Sequence, residues 1–209
     1  MEYDNGNVYL LNNAIDIEKF KFNKKVRTKK RAELKIDDET IVIGHIGRFV
    51  ETKKHLFLIQ AFNEIYKKNK KVILLLIGQG PLYDKIKSKV RELNLENAVI
   101  FLGQRNDVNE LYQVFDLFYL PSLYKGLQVV GIEAQISGLP CIFSNKITNK
   151  VKVNQNVYFY PINKTDNWVE YATNTYKNSK HIVARNNGYL NFINSCFNIK
   201  TEAKKLENI

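Results

Sequence analysis

The hydrophobic positions of the chain follow two alternating patterns. Nearly continuous apolar runs, such as Val72–Ile77, are typical of strands buried on both faces. Between these runs, apolar residues recur every three or four positions, as on one face of a helix. The pattern therefore predicts alternating strands and helices. The strands are expected at 41–46, 72–77, 98–102, 117–120, 141–144 and, weakly, 157–159, and the helices at 54–68, 82–93, 107–115, 127–137, 165–176, 182–194 and 200–209.

Repeated strand–helix–strand units imply right-handed crossovers and a parallel sheet covered by helices. We therefore predict a Rossmann-like three-layer α/β/α domain. In such sheets, ligands bind beyond the carboxyl ends of the strands. The loops after Ile46, Ile77, Leu102, Leu120 and Ser144 are the expected places for a site.

The two ends of the chain do not follow this alternation of strands and helices. Residues 1–38 contain one short apolar stretch at 8–11 and a very basic run at 24–31. We interpret residues 1–38 as an interdomain linker followed by a basic surface helix. The Rossmann-like domain is predicted over residues 39–180, and C-terminal helices over residues 181–209.

The 209 residues carry a formal net charge of +11, which raises the question of a polyanionic partner. A nucleic acid, an acidic membrane face or a phosphorylated small molecule would each fit this charge. The alternative is a solvated, lysine-rich surface. The basic residues are scattered rather than gathered on one face or arm, which favours the solvated surface and argues against nucleic acid.

The composition also limits cofactors and location. Cys141 and Cys196 lack CxxC spacing, and three histidines are too few for a zinc cluster, so no metal site is expected. Two reduced thiols are typical of a cytosolic protein. The longest apolar stretches are too short to span a bilayer, and residues 1–20 lack the apolar centre of a signal peptide.

Two of the expected loops carry candidate ligand-binding residues. In the first, Gly47 permits close backbone approach, while Arg48 and Lys53 supply two cations, as a diphosphate requires. In the loop after the third strand, the backbone near Gln104 could read the edge of a base, with Arg105 over its face. Each of these signals is weak alone, because the same residues also occur in ordinary loops and capped helices.

The segment 121–134, PSLYKGLQVVGIEA, is the most informative one. A helix is expected to start near Gly126, where free amides and the positive end of the helix dipole would form an anion site. Glu133 follows among apolar residues, and a carboxylate in such company needs partners. The hydroxyl groups of a ribose would supply two hydrogen-bond donors to the Glu133 carboxylate. A donor from elsewhere in the protein would satisfy this carboxylate equally well.

These segments together resemble the large family of retaining GT-B glycosyltransferases often called group 1, especially those that make capsule and exopolysaccharide. The segments at family spacing are VYLLNNAIDIEKF at 8–20, GHIGRF at 44–49 with Lys53, LLLIGQGPL at 74–82, FLGQRNDV at 101–108 and PSLYKGLQVVGIEAQISGLPCIFS at 121–144. The resemblance covers nearly the whole chain. It implies the second, donor-binding half of a GT-B fold.

The resemblance also implies roles for individual residues. Arg48 and Lys53 would neutralise the diphosphate of a UDP-sugar as it leaves, without a metal or other cofactor. Amides near Gly126 and Leu127 would assist them. Gln104 and Arg105 would flank the base, and Glu133 would bind the ribose hydroxyls. Gly47 and Lys125 are the further substrate-binding residues that the resemblance implies.

Two departures from the family pattern bear on activity. The family signature has two glutamates separated by seven residues; the second corresponds to Glu133, but the first position is Lys125, and Gln128 stands where the family commonly has Pro. The acceptor-binding half, which usually brings a catalytic histidine, is not in this sequence. By resemblance, His45, His55 and His181 do not replace it.

Four functions remain open at this point. The chain could be the donor-binding half of a transferase, from a split gene or a truncation, inactive without the acceptor-binding half in cis or in trans. It could instead be a degenerate, non-catalytic nucleotide-binding module or partner subunit. Charge alone suggests a nucleic-acid-binding domain, and a GT-B epimerase would need a different residue signature. A complete enzyme could also approach an anionic membrane face from the cytoplasm.

Overall fold

The structure, a computed structural model, describes residues 13–177, 185 and 187–207. Part of the linker segment at 8–20, part of the predicted helix at 182–194, and His181 lie outside these residues. Six strands form one sheet in the order β3-β2-β1-β4-β5-β6, and every neighbouring pair is parallel. The strands are β1 Ile41–Ile46, β2 Val72–Ile77, β3 Val99–Gly103, β4 Leu117–Leu120, β5 Cys141–Ser144 and β6 Val157–Tyr160.

Two helices precede β1, namely α1 Ile17–Phe20 within the predicted linker segment and the basic helix α2 Lys24–Glu33. The other helices agree with the predicted ones to within one or two residues at each end. They are α3 His55–Lys68, α4 Tyr83–Glu92, α5 Val108–Val114, α6 Val129–Ile136, α7 Asp166–Lys177 and α8 Ile199–Glu207. Short 3-10 turns lie at Glu51–Lys53, Asn149–Val151 and Gly188–Phe192. The described part of the predicted helix at 182–194 thus contains a 3-10 turn.

The sheet separates two apolar cores. Leu58 of α3, Ile86 of α4 and Trp168 of α7 are fully buried in the core on one face. Leu111 of α5 and Ile132 of α6 are fully buried in the core on the other face. This is the predicted three-layer α/β/α arrangement, and it leaves the carboxyl edge of the sheet free to carry a site.

An acidic residue just before β4 anchors the basic helix α2. Asp116 Oδ1 accepts a hydrogen bond from Arg27 Nη2 at 2.7 Å, and its Oδ2 accepts from Arg31 Nη1 at 3.3 Å. The same Oδ2 accepts from the backbone N–H of Val42 at 2.8 Å. Both arginines are buried, so Asp116 supplies the counter-charge that their burial requires.

The last carbonyls of α5 are held by arginines from both ends of the chain. Arg27 Nη1 donates to the carbonyls of Gln113, Val114 and Phe115. Arg185, which is also buried, donates to the carbonyls of Tyr112, Gln113 and Phe115. Cations at a helix C-terminus satisfy its free carbonyls and complement its dipole.

The basic run at 24–31 was expected on the surface, and this is only partly so. Arg27, Lys30 and Arg31 are buried, whereas Lys24, Lys25 and Lys29 are exposed. The buried cations are those that face α5, where carboxylates and helix-end carbonyls compensate for their lost hydration. The sequence of a basic run does not indicate which of its side chains will be buried against carboxylates or carbonyls.

The segments before α1 and before α8 meet in a short parallel bridge. The N–H of Ile15 donates to the carbonyl of Phe197 at 2.8 Å, and the N–H of Ile199 donates to the carbonyl of Ile15 at 3.0 Å. Residues near the two ends of the described chain are thereby joined on one side of the domain. None of the helices in the described ranges is long and apolar enough to cross a membrane.

Candidate functional site

A cleft of about 550 Å³ lies at the carboxyl edge of the sheet, where the loops after β1, β2 and β3 meet. It includes four of the predicted site residues, and it borders the point where the strand order reverses between β1 and β4. Its lining consists of Ile46, Gly47, Arg48, Ile77, Gly78, Gln79, Gly80, Gln104, Arg105 and Val108.

Close contact between two backbones shapes the floor of this cleft. Gly78 has a φ of +132°, and a Cβ at this position would lie 2.2 Å from the carbonyl oxygen of Gly47. The N–H of Gly47 donates to the carbonyl of Ile77, and the N–H of Phe49 donates to that of Gln79. The loop after β2 therefore both supports the Arg48 loop and lines the cleft.

A second cleft of about 500 Å³ adjoins the first at Ile46, Gly47 and Arg48. It lies between the loop after β1 and the loop that connects β4 to α6. Its remaining lining residues are Val50, Thr52, Lys53, Tyr124, Leu127, Gln128, Val129 and Val130.

Lys53 is fixed across this second cleft. Its Nζ donates to Gln128 Oε1 at 2.5 Å, and partial burial lowers the pKa of the lysine below its usual value. No carboxylate in the described chain pairs with Lys53 or with the exposed Arg48. Two uncompensated cations at the junction of the clefts form a favourable position for a polyanion such as a diphosphate.

The predicted helix start at Gly126 is wrong. Helix α6 begins at Val129, and the backbone of Gln128 is extended with a φ of −97° and a ψ of 97°. The first backbone hydrogen bond of α6 runs from the N–H of Gly131 to the carbonyl of Gln128 at 2.9 Å. Val129 and Val130, which precede Gly131, belong to the lining of the second cleft.

Glu133 lies one turn further along α6 and is half-buried. Its Oε2 accepts a hydrogen bond from the hydroxyl of Tyr112 at 2.8 Å, and that hydroxyl also lies 3.0 Å from the carbonyl of Val130. Burial raises the pKa of Glu133, and the Tyr112 hydrogen bond opposes this rise. The described residues supply no donor to Oε1, so one carboxylate oxygen remains able to accept a hydrogen bond from a ligand.

Arg105 forms a bidentate ion pair with its neighbour Asp107. Its Nε and Nη2 donate to the two carboxylate oxygens of Asp107 at 2.8 and 2.7 Å. Asp107 also accepts from Lys30 Nζ at 2.9 Å, and both cations lower its pKa. The Arg105 side chain is 39% exposed and belongs to the lining of the first cleft.

A family comparison places this geometry in a known context. Residues 26–189 match the model of the family described as glycosyl transferases group 1. The chain belongs to this family. The resemblance found in the sequence is thereby confirmed.

Two curated relatives of this glycosyltransferase-family chain illustrate the match. A putative glycosyltransferase, EpsF, of Bacillus subtilis is 43% identical over 144 residues, which are 69% of this chain and 38% of that protein. The UDP-Gal:alpha-D-GlcNAc-diphosphoundecaprenol alpha-1,3-galactosyltransferase of Escherichia coli is 30% identical over 141 residues, 66% of this chain and 36% of that protein. The chain therefore spans well under half the length of these relatives.

Solved structures confirm the fold. Anabaena HepE, in complex with UDP and glucose, superposes with a TM-score of 0.81 at 19% identity, covering 95% of this chain and 55% of HepE. A C-terminal domain of a group 1 glycosyl transferase from Francisella tularensis superposes with a TM-score of 0.76 at 21% identity, covering 89% of this chain and all of that domain. The chain thus has the fold of the second half of a GT-B protein.

The glycosyltransferase domain brings together most of the residues predicted for its site. Gly47, Arg48, Gln104 and Arg105 share the first cleft, while Lys53 and Leu127 line the second. Lys125, Gly126 and Glu133 do not belong to the lining of either cleft. Gln79 and Tyr124 line the clefts and lie within segments that resemble the family, although neither was singled out from the sequence. Tyr112, which donates to Glu133, carries no sequence signal.

Metal-ligating side chains are sparse in this domain. In residues 13–177, 185 and 187–207, no group of three or more His, Cys, Asp or Glu side chains is placed to hold a metal ion. Arg48 and Lys53 are positive charges on the lining of the second cleft.

Two buried histidines lie beneath the Arg48 loop. His45 Nδ1 lies 2.8 Å from the carbonyl of Tyr119, and His55 stacks on Phe49 with ring centroids 4.1 Å apart. His45 Nε2 and both nitrogens of His55 are buried without a hydrogen-bond partner among the described residues. Burial lowers the pKa of His45 to about 4 and that of His55 to about 2.

These lowered pKa values predict a steep loss of stability in mild acid. Both imidazoles stay neutral in the folded chain, whereas in the unfolded chain they take up protons below pH about 6.5. The unfolded state thus binds more protons, and stability falls as the pH drops from about 6.5 towards 4, by about 1.4 kcal/mol per pH unit for each histidine. Urea unfolding measured at pH 7, 6 and 5 tests this.

A variant separates the histidines from other acid effects. His55→Phe keeps an aromatic ring against Phe49 but removes one titrating group, so the slope of stability against pH should decrease by about one proton. An unchanged slope in this variant would show that His55 does not titrate on unfolding.

Proposed function

We propose that this chain is the nucleotide-sugar-binding half of a retaining GT-B glycosyltransferase that uses a UDP-sugar in bacterial surface polysaccharide synthesis. The carrying observation is the convergence, at the carboxyl edge of the sheet, of Arg48, Lys53 and the first amides of α6. The names of the E. coli relative and of the HepE complex, which mention UDP-Gal and UDP, support the choice of uracil nucleotide.

In this proposal, the base, the diphosphate and the sugar of the donor occupy different parts of the two clefts. The base would lie in the first cleft against the Gln104 backbone and the Arg105 face. The diphosphate would lie at the junction, between Arg48 and Lys53 and in front of the Val129 and Val130 amides. The sugar would then occupy the second cleft, and Glu133 Oε1 would accept from the ribose hydroxyls.

Arg48 and Lys53 would be the catalytic residues of such a site. As the bond between the sugar and the diphosphate breaks, negative charge grows on the leaving phosphate oxygen. Cations and helix amides already fixed around that oxygen stabilise this charge without reorganising. Because the chain has the fold of only the second half of a GT-B protein, we propose that an acceptor-binding half, in cis or in trans, is required for turnover.

Calorimetric titration with UDP tests the binding proposal, with GDP and ADP as competitors for selectivity. We expect selective UDP binding that weakens about tenfold in Arg48→Ala and in Glu133→Gln, since each removes a charged partner of the nucleotide. Arg91→Ala, on the exposed face of α4, is the matched control and should bind as the parent does. Equal binding of all three nucleotides would contradict the proposal.

Turnover is tested separately. The purified chain, incubated with UDP-glucose or UDP-galactose and a lipid-linked or soluble sugar acceptor, should transfer no sugar. Transfer by the isolated chain would overturn the requirement for a second half. In the complete enzyme, the exposed Lys24, Lys25 and Lys29 of α2 would favour approach to the anionic inner face of the plasma membrane.

The alternative is a non-catalytic nucleotide-binding module, and Lys125 is the observation that favours it, because this position reverses the charge of the family signature. Addition of the acceptor-binding half of a related enzyme discriminates between the two. Restored transfer would support the transferase, whereas UDP binding without transfer, even in Lys125→Glu, would support the module.

A further inference from the structure

Lys125 lies in the loop that connects β4 to α6. The loop is held against the opposite rim, because the N–H of Leu123 donates to the carbonyl of Thr52 at 2.7 Å. Tyr124, which precedes Lys125, lines the cleft, and so does Leu127. Lys125 itself is exposed, and the described residues provide no carboxylate within ion-pair distance of it.

The second cleft contains cations but no acid. Arg48 and Lys53 are its charged lining residues, and no Asp or Glu belongs to that lining. Neither Glu51, which faces Lys85 at 3.9 Å, nor Glu133, which accepts from Tyr112, belongs to this lining. Lys125 therefore adds a third positive charge next to a cleft whose lining carries two cations and no acid.

This third cation exceeds what the diphosphate needs. Arg48, Lys53 and the α6 amides already surround the place proposed for the two phosphates. A neutral sugar presents hydroxyl groups, which are best fixed by partners that both donate and accept, whereas an ammonium group only donates. An ammonium group fits a carboxylate, whose oxygens only accept and whose charge offsets its own.

We propose that Lys125 is a specificity-determining residue that selects a donor whose transferred sugar carries an anionic group, with a hexuronic acid as the substrate class. The inference rests on the proposed function, since it requires the nucleotide to bind as described above. The Tyr124 ring, 59% exposed at the cleft, supplies an apolar face for the sugar ring, and Lys125 pairs with the carboxylate at its edge.

The test compares affinities within matched donor pairs. UDP-glucuronate is titrated against UDP-glucose, and UDP-galacturonate against UDP-galactose, with UDP alone as the reference. We expect the uronate of at least one pair to bind about two- to fivefold more tightly than its neutral partner, as for a single exposed charge pair. The ratio should fall to about one or below in Lys125→Glu.

Lys87→Glu is the control, because it makes the same change of charge on the exposed face of α4. It should keep the ratio within each donor pair. Equal affinity within both donor pairs in the parent chain overturns the inference, and so does an equal loss of the affinity ratio in both variants. In either case, UDP binding by the parent chain still supports the proposed function. Absence of UDP binding by the parent chain overturns both.

Discussion

Replacement of Asp116 by Asn should lower the free energy of unfolding by about 3–5 kcal/mol. The carboxylate accepts hydrogen bonds from two buried arginines, Arg27 and Arg31, and from the N–H of Val42. Removing one partner of a buried ion pair leaves the other charge in a medium of low polarity, which is the costly direction of such a change. Urea denaturation followed by far-UV circular dichroism measures the difference.

Asp38→Asn is the matched control for this prediction. Asp38 also faces Arg31, at 3.9 Å, but its side chain is 91% exposed. An exposed ion pair contributes little, so Asp38→Asn should change stability by less than about 1 kcal/mol. Similar effects of the two substitutions would show that the buried arginines do not depend on Asp116.

Gly78→Ala should both destabilise the chain and disturb the Arg48 loop. The new Cβ would lie 2.2 Å from the carbonyl oxygen of Gly47, at a φ of +132° that L-residues rarely adopt. Because a backbone carbonyl cannot rotate away as a side chain can, the Arg48 loop must shift. We expect a loss of about 2–4 kcal/mol and a weakening of UDP binding of about tenfold or more.

Gly103→Ala separates the steric effect from the conformational one. Gly103 also has a positive φ, +66°, but the nearest atom to an added Cβ is Gln79 Nε2 at 3.7 Å. This variant should lose only the cost of a left-handed residue, about 1–2 kcal/mol, and should bind UDP as the parent does. An equal loss of binding in both variants would contradict a specific role for the Gly78 contact.

The strands and the general location of the candidate site, the cleft at the carboxyl edge, could be predicted from the sequence because their causes are local. A strand buried on both faces reads as an unbroken apolar run, as at Val72–Ile77, and Gly or Pro marks its end. Parallel strands then bring the loops that follow them to one edge. Arg48 and Gln104 are therefore adjacent in the cleft although more than fifty residues separate them in sequence.

The features that could not be predicted depend on distant partners. Helix α6 begins only at Val129, because Gln128 is extended. The Gln128 side chain accepts a hydrogen bond from Lys53, which precedes it by 75 residues. The burial of Arg27 depends on Asp116 and on the carbonyls at the end of α5. Neither contact leaves a periodic signal in the local sequence.

The arginine cluster at the end of α5 has a consequence for the order in which the chain folds. Arg27 precedes its partners on α5 by about 86 residues, and Arg185 follows them by about 70 residues. Contacts with such long sequence separation close slowly, because the intervening chain must first be ordered. The sheet can therefore assemble before the α5 carbonyls have all their donors, and the contacts of Arg185 then complete the end of α5.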